Sequence, residues 1–257
     1  MQLSDRIKLY ENTYRQVFPP NSWIIIRLDG KGFHTWTRGL TQFNEGLSNT
    51  FISTAVSVVD SIFSNALLAY GQSDEVTIVL SPVYDPAQYM FGAKHDKLVS
   101  VSSSAFTAAF NSCKNEYADL RSKPPAIFDS RVFAVPSVDE VINTLLFRQQ
   151  DAVRNSVQSL ARTLASHKEC HGLDSSGLQD LCHERGTNWN DLAPKWKRGW
   201  TLVKRQVTID PAQYHGPIEY RPTEPYARKT WSLETPDILK ERDALISNIK
   251  ELLSPQS

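Results

Sequence analysis

The sequence is poor in sulfur and has no excess of either charge. Three cysteines (Cys113, Cys170 and Cys182) and two methionines are spread over 257 residues. So sparse and odd a cysteine complement excludes a disulfide scaffold and predicts a reducing, cytoplasmic setting. Lys and Arg number 28, Asp and Glu number 28, and the formal net charge is zero. Such a chain does not depend on bulk attraction to nucleic acid, although local basic patches remain open to it. No run of 18 apolar residues occurs, so no membrane-spanning helix is expected. The opening stretch, MQLSDRIKLYENTYRQVF, is mixed-charge and lacks the apolar centre of a secretory signal. Wholesale disorder is excluded too, because 40% hydrophobic residues and six tryptophans can build a core.

Two common site signatures are also missing. No glycine-rich Rossmann or Walker run follows a strand-like segment. Cys170-His171 and Cys182-His183 repeat an adjacent pair, with His167 four residues before His171. Zinc needs ligands that converge tetrahedrally, and adjacent Cys-His pairs do not converge readily, so the histidines read as surface residues of a loop-rich segment.

What is present is a clear order of elements. Leu3, Ile7, Tyr10, Tyr14 and Val17 recur at helical spacing over residues 3–17. Trp23–Leu28 is a compact β-branched run that ends in Asp29-Gly30-Lys31-Gly32. A helix is predicted over 45–65, then two apolar runs, 67–70 and 75–80, flank Gly71-Gln72-Ser73-Asp74 as a hairpin. A helix over 97–110 and a strand over 128–135 follow. Ser137-Val-Asp-Glu140 is a capping box opening a long helix to about residue 167. Residues 168–199 read as loop with short elements, 200–207 as a strand, and 209–235 as an extended, proline-bearing wrap. Thr235-Pro236-Asp237 is expected to cap a last helix through Leu253.

The order strand, helix, strand, strand, helix, strand is not βαβαβα winding. It predicts an α+β fold with an antiparallel sheet backed by helices. Three parts are expected: a catalytic core over 1–136, the long helix and remainder over 137–207, and an extended segment with a C-terminal helix over 208–257.

Two acidic positions stand out. Asp29 closes an apolar strand, and Asp74 with Glu75 sits at a hairpin tip beside Ser73. If that strand pairs with the hairpin, the carboxylates share a pocket of the kind Mg²⁺ uses, with one or two carboxylates per ion plus carbonyls and water. Two such ions serve phosphoryl transfer, which asks a protein for little beyond positioning and charge. Glycines after Asp29 let backbone N–H groups approach a triphosphate. Lys31, Lys94 and Lys97 are candidate phosphate partners. Taken alone the pattern is weak, because acidic residues and glycines are common at turns.

Four segments read together are more specific: Arg27-Leu28-Asp29-Gly30-Lys31-Gly32-Phe33-His34, Ala69-Tyr70-Gly71-Gln72-Ser73-Asp74-Glu75, Phe128-Asp129-Ser130-Arg131-Val132 and Arg148-Gln149-Gln150-Asp151. With Lys197-Arg198-Gly199, this series resembles the tRNA-histidine guanylyltransferase family of 3′-to-5′ RNA polymerases over roughly residues 5–207. The resemblance implies a polymerase palm, ferredoxin-like, that activates an RNA 5′ end with a nucleoside triphosphate. The 3′-hydroxyl of an incoming nucleotide then attacks that end. It implies Asp29, Asp74 and Glu75 as catalytic, and Asp29, Asp74 and the Gly30 carbonyl as ligands of two or more Mg²⁺ ions. Nucleotide contacts are implied for Lys31, Gly32, Phe33, His34, Ser73, Lys94 and Lys97. RNA contacts are implied for Arg131, Arg148, Asn155, Lys197 and Arg198. The implied partners are tRNA and ATP, GTP and other nucleoside triphosphates, in a homotetramer away from membranes.

The plainer readings stand beside these. Arg148 and Asp151 lie one helical turn apart and can pair with each other. Asp129 and Arg131 can simply share a solvent face. Trp196 and Trp200 near Lys195, Lys204 and Arg205 can stack on bases or lie in the core, and Trp200, in an apolar run, reads as core.

Two departures bear on specificity. Histidine-specific eukaryotic members carry a His-Ile-Asn-Asn-Leu run where this chain has Val153-Arg154-Asn155-Ser156-Val157. Gln42 stands where many members have a lysine for the activating nucleotide. Loss of the histidine run resembles the bacterial and archaeal guanylyltransferase-like branch and implies templated repair of 5′-truncated tRNA, while Gln42, which cannot supply the lysine's charge, leaves the activating nucleotide open. Addition of a single guanosine to tRNA-His is the alternative. A palm-fold cyclase acting on free nucleotides and a non-catalytic RNA binder are the further readings.

Overall fold

The computed structural model describes residues 1–82, 88, 90–213, 216, 217 and 220–254. Helix α1 (Leu3–Asn12) is followed by strand β1 (Trp23–Gly30) and the one-turn α2 (Phe33–Trp36). Next come α3 (Glu45–Ser61), β2 (Ala66–Gln72), β3 (Glu75–Leu80) and α4 (His95–Cys113). A short α5 (Ala118–Arg121) leads to β4 (Phe128–Val135) and the long α6 (Val138–Leu164). The remainder holds α7 (His167–Cys170), α8 (Ser175–Glu184), α9 (Pro194–Arg198), β5 (Trp200–Ile209), β6 (Tyr226–Glu234) and α10 (Arg242–Leu253).

Among the described residues six strands form one antiparallel sheet in the order β4-β1-β3-β2-β5-β6. The βαββαβ chain order with strand order 4-1-3-2 is the ferredoxin-like arrangement expected above. Strands β5 and β6 then extend the sheet beyond β2.

Alternation along β1 divides the core. Ile26 and Leu28 pack with Phe51, Val58, Phe106 and Phe110 under α3 and α4. Trp23 and Ile25 pack on the other face with Val141, Leu145, Leu245 and Ile249 of α6 and α10. Period-two geometry therefore carries Arg27 and Asp29 to the α6 face. The long helix starts where it was expected: Ser137 Oγ accepts from the Glu140 amide at 3.3 Å.

The structure departs from the expected elements in four places. Helix α1 stops at Asn12 and buries no residue, so nothing stabilises the further turn toward Val17. Helix α8 lies in the stretch read as loop: Asp174 accepts from the Gly177 amide at 2.9 Å, and Leu178 and Cys182 pack on α6. Strand β6 pairs with β5 from Thr201↔Glu234 to Ile209↔Tyr226. Helix α10 begins at Arg242 rather than after Pro236, because Asp237 pairs with Arg198 instead of capping it. No helix among the described residues is long and apolar enough to cross a membrane.

Candidate active site

The site is built where β1 ends against the β2–β3 hairpin. The hairpin turn is only Ser73-Asp74, with Gly71 and Gln72 inside β2. Ser73 takes a left-handed φ of 51°, a conformation that costs a residue with a side chain and concentrates at functional turns. The Gly30 amide donates to the Asp74 carbonyl at 3.1 Å, so the strand end is clamped to the hairpin tip. Asp29 stands opposite Glu75 on one side and Asp129 on the other. Directly opposed residues share a face, so three carboxylates line up across three strands with Asp74 beside them.

Gly30 has a second role. A Cβ there would lie 2.2 Å from Cδ2 of Phe33, and Phe33 is itself in the core, with ring centroids 5.0 Å from Trp36 and 5.1 Å from Phe128. The chain after Asp29 turns over this aromatic floor, with Gly32 at φ 66° and the Lys31 amide donating to Ile127 O at 2.9 Å.

The charges sort the carboxylates into two kinds. Burial pushes the Asp74 carboxyl above the usual carboxylate range; the Ser73 hydroxyl, donating at 3.0 Å, works against this, and the neighbouring Asp29 charge adds to it. No Lys, Arg or His among the described residues forms an ion pair with Asp29 or Asp74. Burial also raises Glu75, but Arg148 holds both its oxygens, at 2.7 and 2.9 Å, and Arg27 lies 3.9 Å away. Burial opposes the Arg148 charge, yet its bonds to Glu75 and Asp151 outweigh that and raise its pKa.

Two carboxylates held side by side, with no protein cation, are a donor set that a hard divalent ion fits. Asp29, Asp74 and the Gly30 carbonyl would hold it. Clusters of three or more His, Cys, Asp or Glu in metal-holding geometry are absent among the described residues. Mg²⁺ does not need one, because it commonly keeps water and takes one or two carboxylates.

A cavity of about 450 Å³ opens on the hairpin tip and is lined by His34, Gln42, Asn44, Ser73, Asp74 and Arg162, among others. Arg162 was not singled out from the sequence. It lies on the exposed side of α6, seven residues after Asn155, and a helical wheel drawn from Asn155 would have found it.

The structure does not gather every candidate. Lys31 and His34 are exposed near the turn, whereas Phe33 is 3% exposed and serves mainly as floor. Lys94 and Lys97 start α4 at the other end of the sheet, where Leu98 meets Ile24 and Leu80. Five residues of β1 separate that level from Asp29, about 17 Å. Arg148 is occupied by Glu75 and Asp151, Lys197 by the Asn190 carbonyl and the Trp189 ring, and Arg198 by Asp237. Arg131 and Asn155 remain exposed. Trp200 is core, its ring seated on Gly71, while Trp196 is half-buried against Phe43.

A ferredoxin-like sheet that presents two unpaired aspartates at one end, beside an open pocket, defines a palm-type nucleotidyltransferase. Comparison with known proteins agrees. The tRNAHis guanylyltransferase family model matches residues 4–136, and the chain belongs to that family. A bacterial tRNA(His) guanylyltransferase-like protein solved in complex with ATP is 34% identical, with a TM-score of 0.81, covering 96% of this chain and 99% of its own. A related bacterial structure in complex with GTP is 31% identical, with a TM-score of 0.72, covering 96% and 98%. The probable tRNA(His) guanylyltransferase of Drosophila melanogaster is 27% identical over 203 residues, 74% of this chain and 70% of that protein. The bacterial likeness extends into β6 and α10, for which the sequence had suggested no relative.

Proposed function

We propose that the protein adds nucleotides to the 5′ end of tRNA in the 3′-to-5′ direction, repairing 5′-truncated tRNA against its own template strand. The observation that carries this reading is the unpaired Asp29–Asp74 carboxylate pair, fixed by the Gly30–Asp74 hydrogen bond, with Asp74 lining a nucleotide-sized cavity. Asp29, Asp74 and the Gly30 carbonyl would hold Mg²⁺, which would supply activation of the attacking oxygen and neutralisation of the leaving phosphate. The chain's own residues do the positioning. Gly30 and Ser73 set the spacing of the two carboxylates, the aromatic floor keeps the turn rigid, and His34 and Arg162 face the incoming nucleotide.

The preference for repair rests on the segment that departs from the histidine-specific pattern. Ser156 Oγ accepts from Trp189 Nε1 at 2.9 Å, and Val157 is fully buried. That run is spent on packing α6 against residues 189–197 and leaves Asn155 as its exposed polar side chain beside Arg154. ATP or GTP for activation, a homotetrameric assembly and a cytoplasmic location belong to the same proposal. The three-part division at residues 136 and 207 does too.

Purified protein with Mg²⁺ and all four nucleoside triphosphates is offered a tRNA lacking its first 5′ nucleotide and, in parallel, intact tRNA-His. Restoration of the missing nucleotide, lost in Asp29→Ala, is expected. Guanosine added only to tRNA-His would transfer the proposal to the single-addition activity. Triphosphate turnover without RNA would point to a cyclase instead.

A further inference from the structure

Beside the carboxylates, on the same sheet face, a second opening of about 340 Å³ lies between the sheet and the first half of α6. Its walls include Arg27, Thr77, Phe133, Phe147 and Arg148. Two of its polar atoms, Arg27 Nε and Thr77 Oγ1, are buried without any hydrogen-bond partner, and Thr77 is wholly buried. Buried polar groups are nearly always satisfied, so two orphan atoms on residues that line one opening ask for a ligand that accepts hydrogen bonds. These two residues stand opposite each other, Arg27↔Thr77, on β1 and β3.

A second observation concerns charge. On its other side Arg27 stands directly opposite Arg131, and like charges so placed destabilise a sheet unless an anion joins them. Arg148 cannot serve, because its guanidinium is used on Glu75 and Asp151. Glu75 approaches Arg27 only to 3.9 Å and is claimed by Arg148. Glu140, the cavity's own carboxylate, lies near the start of α6, away from Asp29, and accepts from Asn143. Two aromatic rings, Phe133 and the exposed Phe147, complete the walls.

We propose that this opening binds an unpaired nucleotide of the RNA substrate, its base on Phe133 and Phe147 and its phosphate on Arg27 and on Arg131, which stands outside the lining on the neighbouring strand. Phosphate contacts from arginine combined with aromatic stacking are how single-stranded nucleic acid is held. Arg27 precedes Asp29 by two residues on one strand face, about 7 Å, so the strand held here runs directly into the reacting site. The inference rests on the polymerase reading and adds to it the path of the RNA.

The test measures dissociation constants for a fluorescent 5′-truncated tRNA and for a fluorescent ATP analogue, using Phe147→Ala and Arg131→Gln. Both residues are exposed, so both variants should fold. Each is expected to weaken tRNA about ten-fold and leave ATP unchanged. Arg131→Gln should also lower the slope of log affinity on log salt by about one. Wild-type tRNA binding that neither variant changes overturns the inference and leaves the polymerase reading intact. Weakened ATP with unchanged tRNA assigns the opening to a free nucleotide and overturns it too. A wild type that binds no tRNA overturns both readings.

Discussion

The amide of Gly30 donates to the carbonyl of Asp74 at 3.1 Å. This bond joins the end of one strand to the tip of the neighbouring hairpin, so the side chains of Asp29 and Asp74 are set by backbone rather than by each other. No cation among the described residues forms an ion pair with either. Their spacing is fixed before any ion arrives, which is how a site avoids reorganisation at the moment of reaction.

Gly30→Ala should disturb that spacing. The added Cβ meets the Phe33 ring at 2.2 Å, and Phe33 is locked among Trp36, Phe51, Phe110 and Phe128. Overpacking of this kind costs about 1–3 kcal/mol. Urea unfolding should report that loss. Nucleotide addition should fall further than stability does, because the turn carrying Asp29 must move.

Asp74→Asn should have opposite effects on the two properties. Asp74 is pushed toward its neutral form by burial and by Asp29. Removing the charge should therefore stabilise the metal-free protein, by about 0.5–2 kcal/mol as is common at functional sites. Activity should fall about a thousand-fold, the scale of losing several kcal/mol of charge stabilisation. Thermal melting without Mg²⁺, set beside single-turnover extension, separates the two.

The same shift has a pH consequence. A carboxyl whose pKa is raised on folding binds its proton more tightly in the native state, so its contribution to stability is present at low pH. That contribution is lost as pH rises from the ordinary carboxylate value through the raised one. Mg²⁺ affinity should run the other way and strengthen over that window, because only the ionised carboxylate is a ligand. Calorimetric Mg²⁺ titrations across the acidic range should show proton release on binding, and Asp74→Asn should abolish it.

Glu75 and Arg148 form the other half of the site. Both oxygens of Glu75 are held by Arg148, so Arg148→Gln strands a buried carboxylate and should cost about 3–5 kcal/mol. Glu75→Gln combined with Arg148→Met should recover most of that stability without recovering activity. A double-mutant cycle by chemical denaturation measures the coupling. A double variant damaged by the sum of the two single losses would show that the pair does not act as a unit.

Much of this was legible in the sequence, for identifiable reasons. The Trp23–Leu28 run, the Ser137 cap and the period of α3 follow from local chemistry and give the chain order of strands and helices, whereas the ferredoxin-like arrangement came only with the family resemblance. Asp29 and Asp74 could be brought together by assuming that β1 pairs with the hairpin, which it does through β3. Less was legible where tertiary partners decide. Arg148 looked like an intrahelical partner of Asp151 and is one, but its main bond to Glu75 spans 73 positions. Lys94 and Lys97 were placed by motif order, whereas the direction of α4 takes them to the far end of the sheet. Strand β6 lacks alternation because both its faces are largely exposed; only pairing with β5 defines it. Arg27 read as part of a motif, and its unpartnered nitrogen is visible only once β3 and β4 flank it.

The most direct measurement changes the template rather than the protein. A tRNA lacking its first 5′ nucleotide is prepared in four forms that differ only in the base opposite the gap, and each is given Mg²⁺ and all four triphosphates. The account predicts that the added nucleotide is in every case the complement of that base, and that Asp29→Ala and Asp74→Ala add none. Addition of guanosine whatever the opposing base, or extension that survives loss of both carboxylates, would contradict it.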